Sequence, residues 1–325
     1  MLDVYTYSKR VAITATIVLL VGAAFYMLGK HGYFFLLVFA AVLLAVLFCG
    51  ISDWFMSKLH LRWGLSLLLA ILLVFGVLTA SFYFLAPTVG QQIREMRGTI
   101  PQAAQEIEDW LSQYGWGQKV AQKMPDDISK MLPQQKTLLS EVSQVFSTTL
   151  SILADFLIVV VTAIFLAVNP KLYTVGFSKL FAVRHRSRII QVLGRCYDTL
   201  RKWLLAMLLA MAIIGVSTAL AFSMLGLPLA FALAFISFLF AFVPNIGPWI
   251  AAIPIALVGL TAGVQTATYA LLIYAGIQFV ESYFITPLIF QKTVNLPPAL
   301  LLFFQVILGI LEGGLGLFLA APLLA

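Results

Sequence analysis

Residues 227–260 read LPLAFALAFISFLFAFVPNIGPWIAAIPIALVGL, two apolar runs joined by Pro244-Asn245-Ile246-Gly247-Pro248. Each run holds about 12 to 17 residues, fewer than the roughly 20 a helix needs to cross hydrocarbon. Proline removes a backbone donor and blocks a helix, and glycine allows turns that a helix cannot make. Irregular backbone at membrane depth survives only where protein or a watery cavity satisfies it. The stretch therefore predicts a helical hairpin that enters and leaves on one face. The alternative is a pair of short, tilted, proline-kinked crossings.

The surrounding sequence sets that hairpin in a membrane. From Trp203 to Val280 there is no Asp, Glu, Lys or Arg. Over the whole chain 62% of residues are hydrophobic and 10% charged, against roughly 25% charged in soluble domains. Windows holding at most one charged residue predict spans at Val11–Gly29, Tyr33–Phe48, Gly64–Ala86, Thr148–Val168 (with Asp155), Trp203–Leu225 and Thr266–Phe284 (with Glu281). The fold class expected is an all-α polytopic membrane protein: about six full transmembrane helices, two helical hairpins in an inverted repeat, and a small extracytoplasmic helical insert. The apolar run at Val11–Gly29 is too long for a cleavable signal peptide. Cys49 and Cys196 lie far apart and have no metal-type spacing.

Basic residues orient the spans. Lys9 and Arg10, Lys58 and Arg62, and the eight bases between Asn169 and Lys202 fall on one side when four spans separate the first group from the last. That side is cytoplasmic by the bias of short loops toward Lys and Arg. The same bias explains Arg184–Arg188 without a nucleic-acid partner. The expected units are 1–86 with three spans, 87–147 as the amphipathic insert, 148–202 with the fourth span and a basic linker, and 203–325 as a transport unit. The insert is polar and balanced, with six bases and seven acids.

A weak self-similarity at an offset of 69 residues links two copies of the hairpin pattern. Leu227-Pro228-x-Ala230 recurs as Leu296-Pro297-x-Ala299, Leu239 matches Leu308, and Gly247 matches Gly316. The second break is Glu312-Gly313-Gly314-Leu315-Gly316. One full span separates the copies, so the two hairpins enter from opposite faces. Such inverted repeats place transport sites where broken helices meet.

Phe242-Val243-Pro244-Asn245-Ile246-Gly247-Pro248, followed by Ala251-Ala252-Ile253-Pro254, resembles the signature of the AI-2E (autoinducer-2 exporter) family of bacterial inner-membrane transporters. Glu281-Ser282-Tyr283-Phe284-Ile285-Thr286-Pro287 and Leu315-Gly316-Leu317-Phe318-Leu319-Ala320-Ala321-Pro322 are similar to two further elements of that family. The resemblance implies movement of small molecules, either export of the quorum signal autoinducer-2 or sodium/proton antiport, and a homo-oligomer such as a pentamer. The chain departs from the family at Leu296-Pro297-Pro298 and at Glu312. It also stops at Ala325 inside an apolar segment, where a truncated C-terminus is the expectation.

Candidate transport or binding residues are Pro244, Asn245, Gly247, Pro248, Gln278, Glu281, Ser282 and Glu312, with Pro228, Pro254, Pro287, Pro297, Gly313, Gly314 and Gly316 as hinges or breaks. Ionisable groups inside spans cost about 2.5–3.5 kcal/mol even on lenient scales, which singles out Asp155, Glu281 and Glu312. Gln278 and Glu281 share a helix face. The Asn245 amide offers a donor and an acceptor to a neutral hydroxylated solute, or satisfies its own turn. No cofactor or metal is expected; a proton or sodium ion is the expected coupling ion, carried by Glu281 or Glu312. The chain shows no Walker-type glycine loop and no His-Glu-x-x-His pattern, so neither an ATP engine nor an enzyme is expected.

Overall fold

A computed structural model describes residues 29–80, 138–290 and 297–325, with isolated positions between 14 and 27 and residue 83. Most of the first predicted span and nearly all of the insert at 87–147 lie outside the described residues. All secondary structure among the described residues is helical. The helices are α1 (Gly32–Leu59), α2 (Trp63–Ala80), α3 (Leu138–Val168), α4 (Pro170–Ser178), α5 (Val183–Met224), α6 (Ala230–Phe240), α7 (Gly247–Thr261), α8 (Val264–Val280), α9 (Thr286–Phe290) and α10 (Pro298–Leu324). A π-helical turn, Glu281–Ile285, joins α8 to α9.

Helix α5 is the spine. Its 42 residues span about 63 Å at 1.5 Å per residue, roughly twice the hydrocarbon thickness. The basic segment expected as a linker is therefore helical: its first part is α4, and the rest runs without a break into the fifth span. Trp203, Leu204, Met207, Met211 and Ile214 of α5 pack on Leu36, Leu43 and Val46 of α1. Ala41, Ala45 and Phe48 on another face of α1 pack against Leu67 of α2 and against Ala163 and Ala167 of α3. Alanine-rich contacts of this kind let membrane helices approach closely, because lipid tails compete away any purely apolar driving force.

Polar groups mark one end of this bundle. Arg201 Nη1 lies 2.9 Å from Asp53 Oδ2, Tyr197 donates to the same carboxylate at 3.1 Å, and Trp63 Nε1 donates to the Val168 carbonyl at 3.4 Å. The 51–63 and 169–202 segments thus share an end. Helix α1 approaches it with rising residue number and α5 leaves it, so the two are antiparallel, and Gly32 and Met224 belong to the opposite end.

The first hairpin hangs from that opposite end. The turn Gly226–Leu229 reverses the chain after α5, α6 descends, and α7 returns to α8. Phe222, Leu227, Leu233, Ala251, Ile255, Ala270 and Tyr274 form its core. Helix α10 is long enough to cross, but it is not one straight helix. Gly313 has φ 66 and ψ −146, values no helix contains, and a Cβ built on Gly309 would lie 3.9 Å from Leu317 Cβ. Eight residues of straight helix would hold them about 12 Å apart. Helix α10 is a second hairpin, and its tip residue Glu312 rests on Gly32, at the end remote from Asp53. The two tips point in opposite directions, as the repeat requires.

The repeat also explains two glycines. A Cβ on Gly247 would overlap the Phe240 carbonyl, and a Cβ on Gly316 would overlap the Leu308 carbonyl. Offset by 69 residues, each glycine lets one arm of its hairpin touch the backbone of the other. Gly276 meets nothing within 4 Å. Gly247→Ala and Gly316→Ala should each destabilise the protein by about 3 kcal/mol, the upper range of overpacking, whereas Gly276→Ala should not. Thermal melts of detergent-purified variants read the difference.

Candidate functional site

The tip of the first hairpin is built from backbone needs. Phe242 N–H donates to the Leu239 carbonyl, Val243 N–H to Phe240, Ile246 N–H to Pro244 and Gly247 N–H to Val243. Pro244 and Pro248 have no N–H to satisfy. Asn245 sits between them at φ 67, in the left-handed region that Asn tolerates better than most residues. Pro248 lies in the first turn of α7, where its missing donor is harmless. The four candidates Pro244, Asn245, Gly247 and Pro248 therefore form one tight turn.

That turn meets the second hairpin. Phe242 stacks on Phe318 with ring centroids 4.1 Å apart and planes 17° from parallel, and Trp203 of α5 stands edge-on to Phe242 at 5.8 Å. Gln305, fully buried in the first arm of α10, donates from Nε2 to the Pro244 carbonyl at 2.9 Å. Its Oε1 is buried without a partner. The crossing of the two hairpins thus holds a stacked aromatic pair beside an amide with an open acceptor.

A second polar strip runs along α8. Tyr274, Gln278 and Glu281 follow one another at helical spacing of four and three, which aligns them on one side. The Tyr274 hydroxyl faces Ser237 of α6 and Gln278, but both amide atoms of Gln278 are buried without closing a hydrogen bond. Glu281 accepts from Ser282 Oγ at 3.1 Å and from Thr286 Oγ1. Pro287 accounts for the π turn here: it cannot donate to the Tyr283 carbonyl and its ring crowds that oxygen. The chain responds with the wider Thr286 N–H to Glu281 bond. Single π turns of this kind recur at functional sites.

The remaining candidates are placed as follows. Pro228 lies in the turn before α6, next to Leu229 at φ 63. Pro254 lies within α7, and Pro297 caps α10 in extended conformation. Gly313 is the second break, followed by Gly314. Glu312 is not at the crossing but against the start of α1, and Asp155 accepts a 2.5 Å hydrogen bond from Tyr33 near the same end of α1. Gln305, Ser237 and Tyr274 went unnoticed in the sequence. Gln305 left a signal there: it is the sole hydrogen-bonding side chain between Pro298 and Leu311.

A family model described as "AI-2E family transporter" matches residues 8–325. The chain is similar to "Putative transport protein YueF" of Bacillus subtilis (strain 168), 23% identical over 80% of this chain and 74% of that protein. It is also similar to "Putative transport protein YrrI" of the same organism, 24% identical over 87% and 81% of the two chains. A third relative is "Putative transport protein MT0215" of Mycobacterium tuberculosis (strain CDC 1551 / Oshkosh), 25% identical over 93% and 83%.

If the hairpins grip one another through Phe242 and Phe318, truncating the rings should be non-additive. Phe242→Ala, Phe318→Ala and the double variant should give a coupling energy of about 0.5–1.5 kcal/mol in thermal or denaturant unfolding; additive losses would mean that the stack contributes nothing.

Proposed function

Because the chain belongs to the AI-2E transporter family, we propose that this membrane transporter works as a secondary exporter of a small molecule, by alternating access of the unit 203–325. The observation that carries the reading is the crossing of two oppositely directed hairpins at Phe242, Pro244, Gln305 and Phe318. Broken helices that meet inside a bilayer expose backbone and amide groups to a solute while helices on either side close the path. Autoinducer-2 is the first substrate to assay, on the strength of the family's name. The N-terminus and the Asp53–Arg201 end lie on the cytoplasmic side of a bacterial inner membrane in this reading, because the basic segments gather there. A homo-oligomer, with a pentamer as the form the family resemblance implies, would cover part of the exposed apolar surface at Phe279, Tyr283, Phe284 and Leu288.

A sodium/proton antiporter is the second reading, favoured by the carboxylates of Glu281 at the π turn and of Glu312 at a hairpin tip. A static channel or scaffold is the third. Gly32→Cys with Glu312→Cys, in a Cys49→Ala/Cys196→Ser background, places one thiol on the N-terminal helices and one on the second hairpin. Bridging them with a short bifunctional thiol reagent in proteoliposomes should abolish the autoinducer-2 flux that the unbridged protein shows. A reducible bridge should return the activity on reduction. Unchanged flux after complete bridging would favour the static scaffold.

A further inference from the structure

Gln305 does not behave as a packing residue. Its position in the first copy of the repeat, 69 residues earlier, is occupied by Ile236, so the hairpin arm does not need an amide there. Nor does the Pro244 carbonyl need Gln305, since the Ile246 N–H already donates to it at 2.8 Å. Yet Gln305 is fully buried, and leaving its Oε1 unpaired costs about 1–3 kcal/mol. An apolar residue of similar volume would avoid that cost.

We propose that Gln305 is a substrate-binding residue at the hairpin crossing, whose Oε1 accepts a hydrogen bond from a hydroxyl group of a small neutral solute, with Phe242 and Phe318 packing its carbon skeleton. The inference rests on the crossing being the transport site. The chemistry follows from which half of the amide is occupied. Nε2 already donates one hydrogen to Pro244, whereas Oε1 has no partner at all, so the wholly unmet group is an acceptor and calls for a donor. A cationic donor would be buried without a countercharge, which is costly. Among the described residues the three membrane acids lie elsewhere: Asp155 is bonded to Tyr33, Glu281 to Ser282 and Thr286, and Glu312 sits beside Gly32. A hydroxyl donates without bringing charge. Holding Nε2 on the tip carbonyl also fixes the direction of Oε1, so the first hairpin orients the group that the second supplies.

The test compares wild type with Gln305→Leu, full-length and in nanodiscs, by thermal melting alone and with millimolar erythritol, autoinducer-2 or sodium chloride. The wild type should shift upward by several degrees with at least one hydroxylated solute. Gln305→Leu should lose that shift while melting, without solute, at or above the wild-type temperature. Three results would overturn the proposal: an equal shift in both proteins, no shift in the wild type with either hydroxylated solute, or a shift with sodium chloride alone that the substitution removes. A fall of several degrees in solute-free Gln305→Leu would also overturn it, by making the amide structural. The cysteine bridge between positions 32 and 312 reads hairpin movement without reference to Gln305, so it can succeed where this test fails.

Discussion

A backbone amide that leaves a helix inside a bilayer has no water to turn to, and this chain breaks two strongly apolar helical segments. The solution at the first break is largely subtraction. Pro244 and Pro248 remove donors on either side of Asn245, and the neighbouring amides of Phe242, Val243, Ile246 and Gly247 close short bonds within the turn. At the second break glycine supplies the conformation: Gly313 adopts φ 66 and ψ −146, and Gly316 allows the arms to touch. One copy uses rigid residues and the other permissive ones to reach the same reversal.

The rest of the architecture follows from keeping those reversals out of lipid. Each tip needs protein around it, and the tip of the first hairpin finds it in the second and in Trp203 of α5. Helix α5 serves as the common wall, ion-paired to α1 near its own midpoint through Arg201 and Asp53 and turning into the first hairpin at its C-terminal end. Helices α2 and α3 pack on the opposite face of α1, away from the crossing. The π turn at Glu281 is a third irregularity, and it too is anchored locally, by Ser282 and Thr286. Of the buried polar side chains left open among the described residues, Gln278 and Gln305 belong to this broken-helix unit, whereas Ser52, Ser66 and Thr218 lie on α1, α2 and α5.

Most of the fold was legible in the sequence because its signals are one-dimensional. Charge-free length marks spans, and Pro244-Asn245-Ile246-Gly247-Pro248 marks a reversal whatever surrounds it. The offset of 69 residues, weak as identity, became structural through Gly247 and Gly316, which do the same steric work in each copy. The helical linker was missed because a run of bases reads as a loop, although Arg and Lys are good helix formers. Pairings across long separations were invisible: Asp53 with Arg201, Tyr33 with Asp155, Phe242 with Phe318. Gln305 was overlooked because a single amide in an apolar run has no pattern, and only its burial distinguishes it. Glu312 was rightly placed at a hairpin tip, but that tip reaches α1 and not the other hairpin.

The opposed-hairpin architecture depends on α10 folding back at Gly313, although its length and composition fit a straight crossing. Cysteines replacing Gly309 and Leu317, in a background without Cys49 and Cys196, decide the matter. Their Cβ atoms would sit near the 3.9 Å found between these positions, inside the range of about 3.5–4.5 Å that a disulfide accepts. Mild oxidation in native membranes should yield an intramolecular bridge, seen as a linked peptide by mass spectrometry. Two free, alkylatable thiols after oxidation would mean a straight helix and would contradict the opposed-hairpin architecture.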